Sequence, residues 1–292
     1  MFSNALVGVD GRANGRDAIA LATRLTDPDG TLTLAHVQAG NVHPLHAISP
    51  GVVAEERARS GELLEQERTV GEVPSAELVT VEAATPGAGL HRRAEAQGAD
   101  VLVVGSSSRG LIGRAMLGDD TRAALNGAPC AVAIAGRGYA ERPLPIAKIG
   151  VAYNGSPESH AALAKAKELA SVNRSDVIAL EVVSIPTYAF TGLVPPAFGE
   201  TVELMLSEAN ARMGELEGVQ GRAVYGLAGE ELAAFGDDVD LLVVGSRSYG
   251  PVKRLVLGST SGYLERHARC SLLVLPRGEA SYDGSAGAPP SS

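Results

Sequence analysis

The sequence predicts two tandem doubly wound α/β domains, each a five-stranded parallel sheet with helices on both faces. Three observations carry that prediction. The 292 residues exceed one ordinary small domain and suit two of about 140 residues, each able to bury its own core. Residues 100–137 align without a gap on residues 240–277 at a shift of 140. Within each half, short β-branched or Leu-rich runs alternate with longer stretches of helical periodicity, the pattern of βαβ units.

The repeat is dense. It pairs Asp100 with Asp240, Val103-Val104-Gly105-Ser106 with Val243-Val244-Gly245-Ser246, Ser108 with Ser248, Gly110 with Gly250, and Arg114 with Arg254. Leu117-Gly118 matches Leu257-Gly258, and Cys130 matches Cys270. The starts of the halves match more loosely, Ala5–Gly11 against Ile149–Gly155, at a shift of 144.

Strands are expected near 5–9, 31–37, 76–81, 100–105 and 131–135, and again near 147–153, 176–183, 220–225, 240–245 and 271–275. The unbroken apolar runs Val101–Val104 and Leu241–Val244 suit central strands covered on both faces by right-handed crossovers. The domains are set at 1–137 and 147–277, joined by a linker at 138–146 within a segment rich in Gly, Pro and charge. Residues 278–292, GEASYDGSAGAPPSS, have the composition of a disordered tail.

Composition narrows the function. The hydrophobic share of 45% against 20% charged residues describes a globular chain. A net charge of −9 excludes broad attraction to nucleic acid or an anionic membrane, so a phosphate ligand must be held by local dipoles. The start lacks the n-region and apolar core of a signal peptide, and no apolar run approaches about 18 residues. Cys130 and Cys270, each just before an apolar strand, read as core residues rather than a disulfide, which fits a cytoplasmic protein.

In an open α/β sheet, ligands bind beyond the carboxyl ends of the strands where strand order reverses, so the loops after the first and fourth strands of each half carry the chemistry. In the second half these are Asn154-Gly155-Ser156 and Gly245-x2-Ser248-x9-Gly258-Ser259, the latter opening a helical segment that reaches about His267. A helix start offers free N–H groups, hydroxyls and a positive dipole end to a phosphate. The first half reads Gly105-x2-Ser108-x9-Gly118-Asp119, with Asp10 after its first strand.

This spacing of Gly, two residues, a small residue, nine residues, Gly and then Ser or Thr resembles the ATP-binding pattern of the universal stress proteins of the UspA type. The Asp-Gly or Asn-Gly-Ser turn after strand one and the Ala-x-Cys step before strand five resemble the family as well, over nearly the whole chain twice. The resemblance implies a Rossmann-like, adenine nucleotide alpha hydrolase-like fold of strand order 3-2-1-4-5. It also implies pairing of the halves through their last strands as an intramolecular pseudo-dimer, with a homodimer left open.

By position it implies adenosine near Ala152, Asn154, Val182 and Val244, with phosphates over Gly245, Ser248, Gly258, Ser259 and Thr260. The first-domain counterparts are Asp10, Val37, Gly105, Ser108 and Gly118. The implied ligand is ATP, with or without Mg²⁺, and the implied role is a cytoplasmic stress-response protein whose nucleotide-dependent surface is read by an unnamed protein partner.

Departures from the pattern rank the two sites. Ser248 replaces a glycine, Asn154 an acid and Asp119 the phosphate-binding hydroxyl. A carboxylate about 4 Å from a phosphate charge costs about 4 kcal/mol at an effective dielectric of 20, and about a quarter of that in water. The second site is therefore expected to be the better one. Asp119 and Asp120 at a helix start complement its dipole rather than hold a metal.

Rival motifs fail. Leu111 and Pro251 stand where a Walker A loop needs lysine, Gly8–Gly11 lacks the dinucleotide fingerprint, and Gly258–Gly262 has no His and acid following in order to make it a nucleophile elbow. His36, His43, His46, His91 and His160 lack metal-ligand spacing, and His267 reads as a helix-end residue. Residues 185–199, with Tyr188, Phe190 and Phe198, form a lid, a contact surface or an ordinary apolar loop packed on its own domain. No catalytic base or nucleophile is evident, so the expected activity is binding. The alternatives are a nucleotide-free interaction protein with two degenerate sites or, with less support, a slow ATP hydrolase.

Overall fold

The computed structural model describes residues 1–39, 50–106, 120–142, 145–184, 198–246, 254–255 and 258–276. The first half runs β1 (Phe2–Gly8), α1 (Ala13–Leu25), β2 (Thr26–Ala39), α2 (Pro50–Val70), β3 (Glu77–Ala83), α3 (Pro86–Gln97), β4 (Val101–Gly105), α4 (Asp120–Leu125) and β5 (Ala131–Ala135). The second runs β6 (Lys148–Ala152), α5 (Pro157–Asn173), β7 (Asp176–Val183), α6 (Phe198–Gly214), β8 (Gln220–Tyr225), α7 (Ala228–Phe235), a 3-10 turn (Gly236–Asp238), β9 (Leu241–Gly245), α8 (Ser259–His267) and β10 (Ser271–Leu275).

The strands form one ten-stranded sheet in the order β3-β2-β1-β4-β5-β10-β9-β6-β7-β8. Each half has the expected 3-2-1-4-5 order and is parallel within itself. The halves join where β5 and β10 pair antiparallel, with Ile134, Ala133 and Val132 opposite Leu272, Leu273 and Val274. Ala133 thus faces Leu273, its own counterpart at the repeat shift of 140, which places a pseudo-two-fold axis between them.

Two apolar layers flank the sheet, each continuous across both halves. One packs α1, α2, α5 and α6 through residues such as Ile19, Leu64, Leu169 and Met213. The other packs α3, α4, α7 and α8 through Leu90, Ala124, Phe235 and Leu264. Local chemistry starts the helices. Thr85 caps α3 ahead of Pro86, Ser156 caps α5 ahead of Pro157, and Gly98 ends α3 in the left-handed region at φ 64°.

The repeated aspartates have a structural role. Asp100 accepts from the N–H groups of Ser3 (2.6 Å) and Asn4 (3.1 Å), and Asp240 accepts from those of Ala147 (2.9 Å) and Lys148 (2.8 Å). Each ties the start of a fourth strand to the start of the first.

β1 and β2 begin earlier than expected, at Phe2 and Thr26, because Phe2 is buried and pairs with Thr26 ahead of a register shift. The linker is anchored: Asp17, 3% exposed, accepts from Gly138 N–H (2.9 Å) and Ala140 N–H (2.8 Å), and Ile146 is buried. Among the described residues no helix is long and apolar enough to cross a membrane, and no group of three His, Cys, Asp or Glu is placed to hold a metal.

Candidate functional site

In the second half the strand order reverses at β6, which pairs β7 on one side and β9 on the other. Ala152, Val182 and Val244, from these three strands, all pack on the sheet face shared with α7 and α8. Val244 is buried, whereas Ala152 and Val182 keep partial exposure at the strand ends. They form an apolar wall where the resemblance implies adenosine.

Beyond β6, Asn154 Oδ1 accepts from Ser156 N–H (3.1 Å), and Gly155 takes φ 75°. In the first half Asp10 Oδ1 accepts from Arg12 N–H (3.2 Å), and Gly11 takes φ 76°. Both side chains close the same Asx turn, for which one acceptor oxygen suffices. The exchange of acid for amide therefore preserves the loop and removes only its charge. Asp10 also lies 3.7 Å from Arg12 Nε, and both residues are exposed.

At α8, Ser261 Oγ accepts from Gly258 N–H (3.0 Å), and Gly262 N–H donates to Gly258 O (2.9 Å). By helix geometry the N–H groups of Ser259 and Thr260 have no intrahelical acceptor and open outward with the positive end of the helix dipole. Ser259 is exposed and Thr260 half-buried.

The two glycines of the motif differ in what they need. A Cβ on Gly245 would lie 2.7 Å from both Glu158 O and Glu158 Cβ, so the approach of α5 already demands glycine there. The counterpart Gly105 is tighter, with Asn14 O 2.1 Å from a Cβ. These glycines are explained by packing of the first helix of each half. Gly258 is not: its φ is −79°, and among the described residues a Cβ would meet nothing nearer than Ser261 Oγ at 3.9 Å. Glycine at 258 leaves open space directly at the helix start.

Ser246, which the motif skips, is 1% exposed. Its N–H donates to Leu275 O (2.9 Å), while its Oγ has no hydrogen-bond partner among the described residues. The repeated Gly-Ser pair, 105–106 and 245–246, was the signal that could have found it. A buried hydroxyl without a partner, a helix start with free donors and the open space at Gly258 all fit a phosphate-bearing ligand.

Of the remaining predicted residues, Val37 is half-buried on the corresponding face of the first half. Ser108, Gly118 and Asp119 lie outside the described residues, as do Ser248, His43, His46, residues 185–197 and the tail. His267 ends α8, with its Nδ1 2.8 Å from Tyr263 O and its ring stacked on Tyr263 at 4.0 Å. His91 joins α3 to α4 through Nε2 at 2.7 Å from Ala124 O.

Comparison with known proteins agrees with this fold. The solved structure of a universal stress protein from Archaeoglobus fulgidus DSM 4304 is similar at a TM-score of 0.64 and 18% identity, over 94% of this chain and 99% of that one. A putative universal stress protein from Pseudomonas aeruginosa UCBPP-PA14 gives 0.59 and 17%, over 94% of each chain. Among sequences, universal stress protein Rv2005c of Mycobacterium tuberculosis (strain H37Rv) is 31% identical over 186 residues, 60% of this chain and 61% of that protein. The match thus spans less than two thirds of that relative's length. The model of the universal stress protein family matches twice, at residues 1–136 and 145–276, and the chain therefore belongs to the universal stress protein family as a tandem pair of its domains.

Proposed function

We propose that this chain is an adenine-nucleotide-binding stress-response protein of the cytoplasm, with ATP held in the second domain and a nucleotide-dependent surface read by a protein partner. The observation that carries the proposal is the start of α8, where Gly258 leaves open space in front of the free N–H groups of Ser259 and Thr260. With a net charge of −9 the chain repels anions at long range, so only such a local dipole favours a triphosphate. Ala152, Val182 and Val244 supply an apolar wall for the base, Asn154 the adjoining polar turn and Gly245 the start of the glycine-rich loop. Mg²⁺ would enter with the nucleotide, neutralising phosphate charge.

We take the activity to be binding. Protein purified and heat-extracted should release adenine nucleotide, and titration of the emptied chain with Mg-ATP should saturate near one equivalent. No extractable nucleotide and no heat of binding would favour the second reading, a nucleotide-free interaction protein. That reading has its own support, because Gly105 and Gly245 are already required by helix packing. Phosphate release above an enzyme-free blank would instead support slow hydrolysis.

A further inference from the structure

Arg254 and Leu255, between β9 and α8, bond to the first domain. Leu255 N–H donates to Ala128 O (2.9 Å), and Gly127 N–H donates to Leu255 O (2.8 Å), so a two-bond bridge links this loop to the α4–β5 turn of the first domain. Leu255 is fully buried in the layer that also holds Ala124, Ala128 and Cys130. Beside it Arg254 donates to Gly127 O (3.2 Å) and pairs with Glu95 near the end of α3. Gly127 takes φ 92°, a conformation that favours glycine.

The antiparallel junction of β5 and β10 makes this contact geometrically natural. It sets the carboxyl rim of the second half beside the amino rim of the first. Gly258 and Ser259, where the phosphates are placed, follow Leu255 by three and four residues.

We infer that the first domain positions the phosphate loop of the second: Glu95 and the Gly127–Ala128 turn hold Arg254 and Leu255, and through them the start of α8. The inference rests on the nucleotide site proposed above. It makes Glu95 and Arg254 positioning residues that touch no nucleotide. A loop held before the ligand arrives loses less freedom on binding, so loosening the clip weakens affinity while new contacts are unaffected.

The test uses full-length chains. Mg-ATP is titrated into wild type, Glu95→Arg, Arg254→Glu and the double exchange, and the thermal midpoint of each ligand-free chain is recorded. Glu95 and Arg254 are each 45% exposed, so single exchanges should barely move the ligand-free midpoint. Each single variant should bind about fivefold more weakly, because like charges push the clip open while the two backbone bonds still hold it. The double exchange restores the opposite-charge pair and should return affinity to within about twofold of wild type. Single variants that bind as wild type does, or a double exchange no better than the singles, would overturn the positioning role alone. A wild-type chain that takes up no nucleotide would overturn the nucleotide site and this inference with it.

Discussion

The two glycines of the loop motif should respond in opposite ways to the same substitution. In Gly245→Ala the new methyl lies 2.7 Å from Glu158 O, 2.7 Å from Glu158 Cβ and 2.8 Å from Glu158 C, and none of these atoms can swing aside by a rotamer change. Helix α5 would have to lift by more than half an ångström off a face where Ala162, Ala166 and Leu169 are fully buried. Such overpacking costs about 1–3 kcal/mol. In Gly258→Ala the nearest atom among the described residues is 3.9 Å away and the backbone, at φ −79° and ψ 175°, is open to any residue. Alanine is the poorer N-cap by some tenths of a kcal/mol, but it restricts the unfolded chain by about 0.4–1 kcal/mol, so net stability should change by less than about 0.5 kcal/mol. That methyl fills the space assigned to phosphate and should weaken Mg-ATP about tenfold, roughly 1.4 kcal/mol. Urea melts of the ligand-free variants and calorimetric titration of each separate the two effects. If Gly258→Ala destabilises the chain as much as Gly245→Ala, or leaves affinity untouched in a protein that binds ATP, the division between a packing glycine and a ligand glycine is wrong.

A carboxylate at the helix start should repel phosphate while suiting the helix: Ser259→Asp is expected to hold or raise ligand-free stability and abolish ATP uptake, and Asp119→Ser to raise affinity in the first domain, both measured by calorimetry. Burial pushes the thiols of Cys130 and Cys270 up to about 12 from 9.0, with nearby Asp100 adding to the effect at Cys130. The folded pKa is raised, so this stability is complete below pH 9 and lost as pH rises toward 12; a Cys130→Ala/Cys270→Ala chain should show a shallower alkaline fall in melting temperature. Asp17→Ala leaves the N–H groups of Gly138 and Ala140, each held by a different carboxylate oxygen, without their acceptors and should cost about 2–4 kcal/mol by urea midpoint; Asp17→Asn, whose amide nitrogen must face one of the two, should also destabilise, and an unchanged midpoint in both variants would mean that this contact does not hold the linker.

The fold was legible because its signals are local and repeated. The expected strands at 131–135, 176–183, 220–225 and 271–275 occupy those residues, since each is a compact run bounded by turn or helix-ending residues. The start of β2 was hidden because Pro28 and Gly30 interrupt the alternation that marks a strand, and only pairing of Phe2 with Thr26 draws that stretch into the sheet. The site was legible by type but not by cause. Gly105 and Gly245 carry the motif, yet the chain opposite them, at Asn14 and Glu158, is what forbids a side chain, and no spacing rule reveals a close approach from a distant helix. Ser246 escaped for a similar reason: the repeated Gly-Ser pair marks the position, but burial without a partner among the described residues is a property of the folded site. The match of Arg114 to Arg254 likewise signals a shared need without naming the partner, which for Arg254 sits in the other domain.

The antiparallel junction also constrains how two sites in one chain can communicate. Because β5 and β10 run in opposite directions, the carboxyl ends of β1 and β4 lie on the rim opposite to those of β6 and β9. Two ligands at the strand ends therefore cannot meet, and direct contact between them is ruled out as a route. What each carboxyl rim does meet is the amino rim of the other half, and on the described side that meeting is the bridge from Leu255 to Gly127 and Ala128. If nucleotide binds as proposed, coupling from the second-domain loop would run to the α4–β5 turn of the first domain, and from there along β5 or α4. A symmetric pair of identical chains would have to keep both routes alike. In a tandem chain they are free to diverge, as the junction strands already have, Ala-Val-Ala-Ile-Ala facing Ser-Leu-Leu-Val-Leu. The small residues of β5 against the larger ones of β10 keep the interface filled without requiring the two halves to be equal. A chain built this way can turn the amino rim of one half into a support for the carboxyl rim of the other, which is the relation that the Glu95–Arg254 pair expresses in side-chain terms.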